Sequence, residues 1–388
     1  MASLIVAGGG IAGLAAAIGA ARAGHEVLVL EQAPTFTEMG AGIQIGPNGR
    51  RALEELGVWP WLRHHVFHPR AIRIRRASSG AELGRVPLDE RFRRRFGGTY
   101  QVVHRADLLA ALLATAEEEP AITLKTAKKV TGYQEQPGGI SALLEDGKAV
   151  TAKGLIGADG IWSRVRAQLL GDRPPRFSGH VLYRALVARE EVPETVDVQS
   201  VNLWLNAYGH VVHYPVKGGT FFNIVASVNE RWSAGMSWGE YTDAASVHRV
   251  FANACDELKT VLSLPERWMR WAGADRAPVN NWGVGPLTLT GDAAHPTLPY
   301  LASGAVMALE DAVVLMRHLA AEHSLASAFR AYERERMPRT RRIVESSWKL
   351  ARVYHAAGLM AAGRDLFIQF TSGPRSLERM AWLYDWRP

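Results

Sequence analysis

A glycine-rich turn near the N-terminus constrains the fold of this chain more than any other feature. Residues 3–7, Ser-Leu-Ile-Val-Ala, predict a short buried strand, which Gly8-Gly9-Gly10-Ile11-Ala12-Gly13 follows directly. A helix of small residues then extends to about Ala23, and a second apolar strand at 26–30 ends at Glu31. Strand, glycine turn, helix and strand in this order predict a dinucleotide-binding βαβ unit.

The turn predicts a phosphate site, because backbone N–H groups at a helix N-terminus bind anions. The glycines allow a tight turn and the close approach of a pyrophosphate, while the carboxylate of Glu31 is placed to accept hydrogen bonds from ribose hydroxyls. The alternative is a glycine turn that only packs helix on strand, and the motif alone does not separate NAD from FAD. The dinucleotide-binding residues predicted here are Gly8, Gly10, Ala12, Gly13, Glu31 and Gln32.

Length and composition limit the class of protein. A chain of 388 residues with 47% hydrophobic residues is too long for one ordinary core and suits two joined domains. The single cysteine, Cys255, excludes an intramolecular disulfide and is typical of a reducing compartment. No Cys/His cluster has metal-ligand spacing, so we predict no metal site. No apolar stretch approaches the roughly 20 residues of a membrane span, and we expect a cytoplasmic protein.

The charge of the chain favours acidic partners. The net charge is +7, and Arg91, Arg93, Arg94 and Arg95 form a tight basic cluster. Nucleic acid is one candidate partner, but no nucleic-acid-binding motif accompanies the cluster, which favours a solvated loop. A small anionic substrate and a nicotinamide phosphate cofactor explain the same bias. We therefore predict no nucleic-acid partner.

The rest of the chain leaves the first unit and returns to it. Alternating apolar and polar residues over 181–228 predict an antiparallel sheet, whereas 287–290 again is a strand before a glycine. The other predicted elements are a glycine-rich loop at 40–48 feeding a helix at 49–56, a helix at 106–118, a strand at 155–160, and helices at 305–321 and 326–357. The fold class is α/β: a Rossmann-like domain (1–70, 98–178 and 275–388, with C-terminal helices) and an interleaved β-rich substrate domain (71–97 and 179–274).

Two further segments carry a family resemblance. They are Gly157-Ala158-Asp159-Gly160-Ile161-Trp162-Ser163-Arg164-Val165-Arg166 and Leu289-Thr290-Gly291-Asp292-Ala293-Ala294-His295-Pro296. With the first glycine motif, they resemble the class A flavoprotein monooxygenases, which include para-hydroxybenzoate, salicylate and 3-hydroxybenzoate hydroxylases. The resemblance covers nearly the whole chain and implies FAD as the cofactor.

The resemblance also implies residue roles. Asp292 would bind the ribityl chain of FAD, and the segment of Asp159 would serve both FAD and NAD(P)H. Arg105, in His104-Arg105-Ala106-Asp107-Leu108, matches an arginine that holds the flavin side of FAD; the alternative is a surface charge that opens a helix.

The helix that begins at Gly304 and Ala305 is expected to meet the flavin ring. Small residues there let backbone N–H groups approach a planar ring, and the positive end of a helix favours an anionic reduced flavin.

The strand Gly209-His210-Val211-Val212-His213-Tyr214-Pro215 predicts one wall of a substrate site. Side chains alternate between the faces of a strand, so His210 and Tyr214 share a face, roughly 13 Å apart, and His213 faces the other way. The resemblance supports this pair, because members acting on 3-hydroxybenzoate and 6-hydroxynicotinate hold the substrate with a His and a Tyr four residues later. A histidine suits the removal of a phenolic proton.

Alternatives stay open at these positions. His210 is otherwise a hydrogen-bonded sheet histidine, and Tyr214 a packed core tyrosine. Pro299 also matches a family position, where it would shape the backbone near the reacting ring, and the neighbouring Tyr300 is either a hydroxyl donor or part of the core.

The resemblance implies a reaction. FAD is reduced by NADH or NADPH, O2 forms a flavin C4a-hydroperoxide, and oxygen passes to a phenolic or hydroxypyridine carboxylic acid. The alternatives are oxygenation or epoxidation of a larger secondary-metabolite ring, a flavin-free NAD(P)-dependent dehydrogenase, and a non-enzymatic nucleotide-binding regulator. We expect a monomer or a homodimer.

Overall fold

The N-terminal unit forms where the sequence pattern places it. A computed structural model describes residues 3–37, 40–171, 173–232, 239–372 and 374–388. The strands Leu4–Ala7 and Val27–Leu30 flank the helix Ile11–Arg22, and every residue of both strands is buried. Parallel sheets covered on both faces require such continuous apolar strands.

The described part of the chain contains the following elements in chain order. The strands are β1 (Leu4–Ala7), β2 (Val27–Leu30), β3 (Gly42–Ile45), β4 (Ala71–Arg76), β5 (Glu82–Pro87), β6 (Gln101–His104), β7 (Ile122–Lys125), β8 (Val130–Gln136), β9 (Gly139–Leu144), β10 (Ala149–Ala152), β11 (Gly154–Gly157), β12 (Arg176–Ala188), β13 (Val201–Asn206), β14 (Gly209–Val216), β15 (Phe221–Asn229), β16 (Glu240–Thr242), β17 (Trp268–Asp275) and β18 (Leu287–Leu289). The helices are α1 (Ile11–Arg22), α2 (Pro47–Glu55), α3 (Trp59–Leu62), α4 (Glu90–Phe96), α5 (Arg105–Glu117), α6 (Arg164–Leu170), α7 (Ala245–Val250), α8 (Asp256–Ser263), α9 (Gly304–Ala321), α10 (Leu325–Tyr354), α11 (Gly358–Thr371) and α12 (Pro374–Tyr384).

The first sheet has five parallel strands in the order β18-β11-β1-β2-β7. Helices α1 and α9 pack against each other beside it. Gly19 makes this close packing possible, since a Cβ atom there would lie 2.8 Å from the carbonyl oxygen of Ala312. The sheet thus brings the start of the chain and its C-terminal third to one place, and the predicted return to this domain is confirmed.

The second large sheet has eight strands in the order β16-β17-β12-β15-β14-β13-β4-β5. Its central pairs β12–β15 and β15–β14 are antiparallel, as the alternation over 181–228 predicts. The turns between these strands lie at Ala207-Tyr208, after β13, and at Lys217-Gly218-Gly219, after β14.

The predicted loop at 40–48 is partly wrong, because four of its residues form β3. This strand pairs antiparallel with β6, where Gly42 lies opposite His104 and Ile45 opposite Gln101. Pairing with β6 and the burial of Ile45 stabilise the extended conformation of this strand despite Gly42. The Gly42 N–H also donates to Asn223 Oδ1 of β15 at 2.8 Å, which ties β3 to the eight-stranded sheet.

The two large sheets draw on different parts of the chain. The strands of the eight-stranded sheet lie within 71–87, 176–242 and 268–275, and those of the parallel sheet lie outside these ranges. The exact domain boundaries stay a prediction. No helix in the described ranges is both long and apolar enough to cross a bilayer.

The basic cluster predicted as a solvated loop forms helix α4 instead. Asp89 caps this helix by accepting from the N–H groups of Arg91 and Phe92. Arg94 pairs with Glu90 one turn away, and Arg95 pairs with Glu378 of α12. Several of its positive charges are therefore paired within the fold.

Candidate active site

A cavity of about 490 Å³ opens between the parallel sheet and the eight-stranded sheet. One wall comes from the N-termini of α1, α5 and α9, and the opposite wall from the inward face of β12, β14, β15 and β17. Sites in folds with parallel sheets typically form beyond the carboxyl ends of the strands. The cavity combines the predicted nucleotide side and the predicted substrate side in one space.

The glycine turn has the geometry of a phosphate cradle. Gly8 has a φ of +107°, and a Cβ atom on Gly13 would lie 1.9 Å from the Gly8 carbonyl oxygen. A Cβ atom on Gly10, in contrast, would meet nothing within 4 Å. Gly10 and Ala12 line the cavity, and no side chain caps α1. The N–H groups of its first turn are therefore available to a pyrophosphate, which fits a bound dinucleotide.

Glu31 lies at the end of β2, as predicted. Its carboxylate accepts hydrogen bonds from the N–H of Gly9 at 2.6 Å and from that of Ala33 at 2.7 Å. These bonds hold the acidic side chain beside the glycine turn. Gln32 is exposed and is not among the residues that line the cavity. Their roles toward a ribose stay predictions.

Arg105 and Asp292 both line the cavity and interact electrostatically. Arg105 is the first residue of α5, and Asp292 follows β18 in a short 3₁₀ turn. Desolvation by the surrounding protein raises the pKa of Asp292, and the positive charge of Arg105 opposes this rise. Gly40 is needed beside Arg105, because a Cβ atom there would lie 2.5 Å from the Arg105 Cβ. A carboxylate and a guanidinium across one cavity can hold the hydroxyl and carbonyl groups of a flavin.

Asp159 has a local role. Its carboxylate accepts from the Ser163 hydroxyl at 2.5 Å and from the N–H groups of Arg164 and Val165 at 2.7 and 3.2 Å. It thus caps α6, while its neighbours Ala158 and Gly160 line the cavity. Burial raises the pKa of Asp159, and these hydrogen bonds oppose the rise. The predicted contact of this side chain with FAD or NAD(P)H stays a prediction.

The backbone at the N-terminus of α9 lies at the cavity wall. Gly304 and Ala305 line it, and no side chain caps this helix. Just before them, Ala302 adopts a φ of +49°, which is unfavourable for a residue with a Cβ atom. The turn from Pro299 to Ser303 thus brings the helix end to the cavity. Free N–H groups and the positive end of a helix suit the electron-rich edge of a reduced flavin.

His210, Val212 and Tyr214 of β14 line the cavity, as the strand alternation predicts. His213 faces the opposite side, where its ring packs 5.0 Å from that of Phe222. Burial lowers the pKa of His213 to about 3. The cavity-facing histidine is therefore His210.

His210 is buried at the cavity wall. Burial, together with the neighbouring His355 and His180, lowers its pKa well below the ordinary value. Its Nδ1 lies 3.0 Å from His355 Nε2, and no hydrogen bond in the described part of the chain involves its Nε2. A neutral ring with one nitrogen facing a ligand can accept a proton.

Tyr214 and Pro299 complete the predicted substrate side. Burial raises the pKa of Tyr214 well above its ordinary value, so its hydroxyl stays protonated and can donate a hydrogen bond. Gly42 packs directly on this ring, since a Cβ atom there would lie 2.8 Å from the tyrosine oxygen. Pro299 lines the cavity at the start of its turn. Tyr300 is buried, and its ring packs 5.2 Å from that of His210.

Arg184 is a charged cavity residue that the sequence did not predict. It lies on β12 opposite Val225, which in turn lies opposite Val212 of β14, so all three share the inward face. Its guanidinium lies 4.7 Å from the ring of Trp271, which also lines the cavity. The alternation over 182–186 places Arg184 on the same face of β12 as residues 182 and 186. Only the strand order of the sheet shows that this face lines the cavity.

Comparisons with known proteins agree with this arrangement. Residues 1–347 match the FAD binding domain family. The chain is 39% identical to the 3-hydroxybenzoate 6-hydroxylase of Polaromonas naphthalenivorans (strain CJ2) over 385 residues, covering 99% of this chain and 96% of that protein. It is 33% identical to the 6-hydroxynicotinate 3-monooxygenase of Bordetella bronchiseptica, covering 88% and 89%.

A solved structure supports the same conclusion. The Klebsiella pneumoniae protein HpxO, crystallised with FAD and uric acid, superposes with a TM-score of 0.86 at 26% identity, covering 98% of this chain and 96% of that chain. The glycine cradle, the cavity and the matches over almost the whole length agree. This chain belongs to the FAD binding domain family, within its FAD-dependent aromatic monooxygenases.

Proposed function

We propose that this protein uses NADH or NADPH and O2 to hydroxylate a small aromatic acid that carries a phenolic or hydroxypyridine group. The observation that carries the proposal is the shared cavity. His210 and Arg184 lie on the sheet face opposite Gly10, Asp292 and the N-terminus of α9. A proton acceptor and a cation therefore share one space with the predicted flavin contacts.

The substrate class follows from the chemistry of the sheet face. His210 accepts the proton of the phenol and makes the ring electron-rich, which favours attack on an electrophilic oxygen. Arg184 supplies the positive charge that a carboxylate requires, and Tyr214 offers a hydroxyl donor. The relatives named for 3-hydroxybenzoate and 6-hydroxynicotinate support this class.

The other residues of the site hold and shield the reacting groups. Bound FAD supplies the redox chemistry, which is hydride acceptance from NAD(P)H and activation of O2. Gly8, Gly10 and Gly13 admit the pyrophosphate, and Arg105 with Asp292 orients the flavin side. Pro299 and the start of α9 shape the wall beside the reacting ring. The cavity keeps water from the reaction.

The alternatives are weaker. The match to the FAD binding domain family disfavours a flavin-free NAD(P)-dependent dehydrogenase and a non-enzymatic regulator. A cavity of about 490 Å³ that a flavin must share favours a small acid over a large secondary-metabolite ring. The proposal includes a monomer or homodimer in the cytoplasm, a location that the single cysteine supports.

A substrate panel tests the proposal. The purified FAD-loaded enzyme is given NADH or NADPH with hydroxybenzoates, aminohydroxybenzoates and hydroxynicotinates. Oxidation of NAD(P)H, O2 uptake, peroxide and product mass are recorded together. At least one acid should give a product heavier by one oxygen, with NAD(P)H and O2 consumed in equal amounts. Peroxide alone with every acid, or turnover only of neutral polycyclic compounds, would contradict the proposed substrate class.

A further inference from the structure

Three histidines from three separate elements form one hydrogen-bonded row. His210 Nδ1 lies 3.0 Å from His355 Nε2, and His355 Nδ1 lies 3.0 Å from His180 Nε2. His210 belongs to β14, His180 to β12, and His355 follows the last residue of α10. We call this set the histidine row. Each of its contacts joins two ring nitrogens, the atoms through which imidazole accepts and releases protons.

Aromatic rings enclose the row. The ring planes of His210 and His355 are inclined by 29° with centroids 5.2 Å apart, and the ring centroids of His355 and His180 are 4.5 Å apart. Tyr300 and Tyr354 pack against His210 at 5.2 and 5.5 Å. This packing fixes the three rings relative to one another, with His210 buried and His355 and His180 partly exposed.

The two ends of the row differ in their surroundings. His210 is buried and lines the cavity, so the inner end meets a bound ligand. His180 is partly exposed as a residue, but its outer nitrogen, Nδ1, is itself buried and meets solvent only when the ring moves. Its Nδ1 has no hydrogen-bond partner among the described residues. A proton that arrives there passes to water after a small side-chain motion.

The surroundings disfavour a charged ring anywhere in the row. Burial lowers the pKa of His355 to about 3, and the nearby His180 and Arg364 contribute to the decrease. Burial also lowers the pKa of His180. The charged groups that shift the pKa of His210 and His355 are the neighbouring histidines and Arg364, all of which oppose a further positive charge, so a proton taken up by His210 is not stabilised where it arrives. Transfer along the row avoids a buried imidazolium.

We propose that the histidine row carries the phenolic proton from the substrate to solvent, with His355 and His180 as its relay residues. The inference rests on the proposed function, in which His210 accepts that proton. The phenol O–H gives its proton to His210 Nε2, and His210 Nδ1–H passes to His355 Nε2. His355 Nδ1–H then passes to His180 Nε2, and His180 Nδ1–H passes to water. Four bonds to hydrogen break and four form, which leaves a phenolate in the cavity, three neutral rings and a hydrated proton outside.

The competing role for His355 is to hold the His210 ring in place. A positioning residue needs hydrogen-bond geometry, whereas a relay residue must also accept a proton on one nitrogen and release one from the other. Glutamine separates these roles, because its amide makes hydrogen bonds but does not relay protons at neutral pH. His355→Gln is therefore the informative variant, with His180→Gln as the same change at the outer end.

The test uses the FAD-loaded enzyme without NAD(P)H, mixed with 3-hydroxy-4-nitrobenzoic acid, whose phenolate absorbs visible light. Stopped-flow difference spectra give the rate of phenolate formation in the cavity, and a titration gives the dissociation constant. We expect His355→Gln and His180→Gln to slow ionisation by about tenfold or more, with the dissociation constant unchanged. Added imidazole should restore the rate of His180→Gln, since it replaces the outer ring from solvent.

Tyr354→Phe is the matched control, because it keeps a ring packed on His210 and removes no relay nitrogen. It should ionise the probe at the wild-type rate. FAD content and thermal unfolding of every variant show whether it is folded. An unchanged rate in folded His355→Gln overturns the relay. A slow rate that imidazole does not restore in His180→Gln also overturns it, since the defect would then be structural.

His210→Gln separates failure of the relay from failure of the proposed function. If that variant ionises the probe as the wild type does, His210 is not the proton acceptor, and the site assignment fails together with the relay. If ionisation is lost in His210→Gln but unchanged in His355→Gln, the proposed function stands and the relay alone is wrong.

Discussion

A Cβ atom on Gly13 would lie 1.9 Å from the carbonyl oxygen of Gly8, closer than any two such atoms can approach. The turn between β1 and α1 therefore depends on glycine at position 13, with or without a ligand. Gly10 lies in the same turn, but a Cβ atom there would project into open space within the cavity. Gly13 is therefore required by the fold, whereas Gly10 is expected to be required only for binding the cofactor.

We predict that Gly13→Ala lowers the free energy of unfolding by about 1–3 kcal/mol, because the backbone must shift to admit the methyl group. Gly10→Ala should leave the stability of the apoprotein unchanged and weaken FAD binding, because its methyl group would occupy space needed by the pyrophosphate. Denaturant unfolding of the apoproteins and fluorimetric FAD titration measure the two effects. Equal destabilisation by both substitutions would contradict the separation.

Asp292→Ala should release FAD during purification, since it removes the carboxylate that faces the cavity opposite Arg105. The ratio of flavin absorbance to protein absorbance measures retention. Asp146→Ala is a control, because Asp146 lies in a surface ion pair with Lys128 and away from the cavity. A fully yellow Asp292→Ala protein would remove this residue from the cofactor site.

Arg184→Met should raise KM for aromatic acids by about tenfold to a hundredfold, the range expected for one charged hydrogen bond. Methionine keeps much of the apolar stem that packs near Trp271 but removes the charge. The same variant should treat a neutral phenol without a carboxylate much as the wild type does. Steady-state kinetics with an acid and its neutral analogue check this. An equal loss with both compounds would assign Arg184 a structural role.

A buried ion network beneath the site should govern acid stability. Arg336 contacts Asp311 at 2.7 Å and Glu310 at 2.9 Å, and His295 contacts Asp311 at 2.5 Å. Burial alone would raise the pKa of Asp311, but His295 and Arg336 lower it to about 2. Because the folded-state pKa lies below the ordinary value of 3.8, this stabilisation is present above that value and is lost as the pH falls toward 2.

We therefore expect Arg336→Met to cost about 3–5 kcal/mol at neutral pH, because it removes the buried cation that Asp311 and Glu310 share and leaves them, among the described residues, only His295 and Arg339 as ionic partners. The deficit relative to the wild type should shrink as the pH falls below about 4. Urea unfolding at neutral and acidic pH measures both values. Arg317→Met is the comparison, because its pair with Glu335 is exposed and should contribute little. A deficit that grows with acidification would contradict this account.

The sequence determines the local parts of the fold. The glycine turn, its strand and its helix depend on neighbouring residues, so their order was sufficient to predict them. The shared face of His210 and Tyr214 depends only on the two-residue repeat of a strand. The FAD family followed from three motifs in the right order, and the match over residues 1–347 confirms it.

The remaining parts depend on contacts between distant segments. Segment 42–45 is extended because β6 pairs with it, and no local pattern in the glycine-rich stretch around it identifies that partner. Arg184 reaches the cavity because β15 lies between β12 and β14, an order that alternation does not determine. His355 meets His210 across 145 positions of sequence, and no local pattern marks that contact.

The segment from Gly40 to Ile45 touches both halves of the site. Gly40 packs against Arg105 on the flavin side, and Gly42 packs against Tyr214 and bonds to Asn223 on the substrate side. A side chain added at Gly40 would displace Arg105, and one added at Gly42 would displace Tyr214. Mutations that broaden the range of accepted acids are therefore expected to avoid this segment. They should accumulate on β12 and β17, where the substrate wall can change without weakening the binding of the flavin.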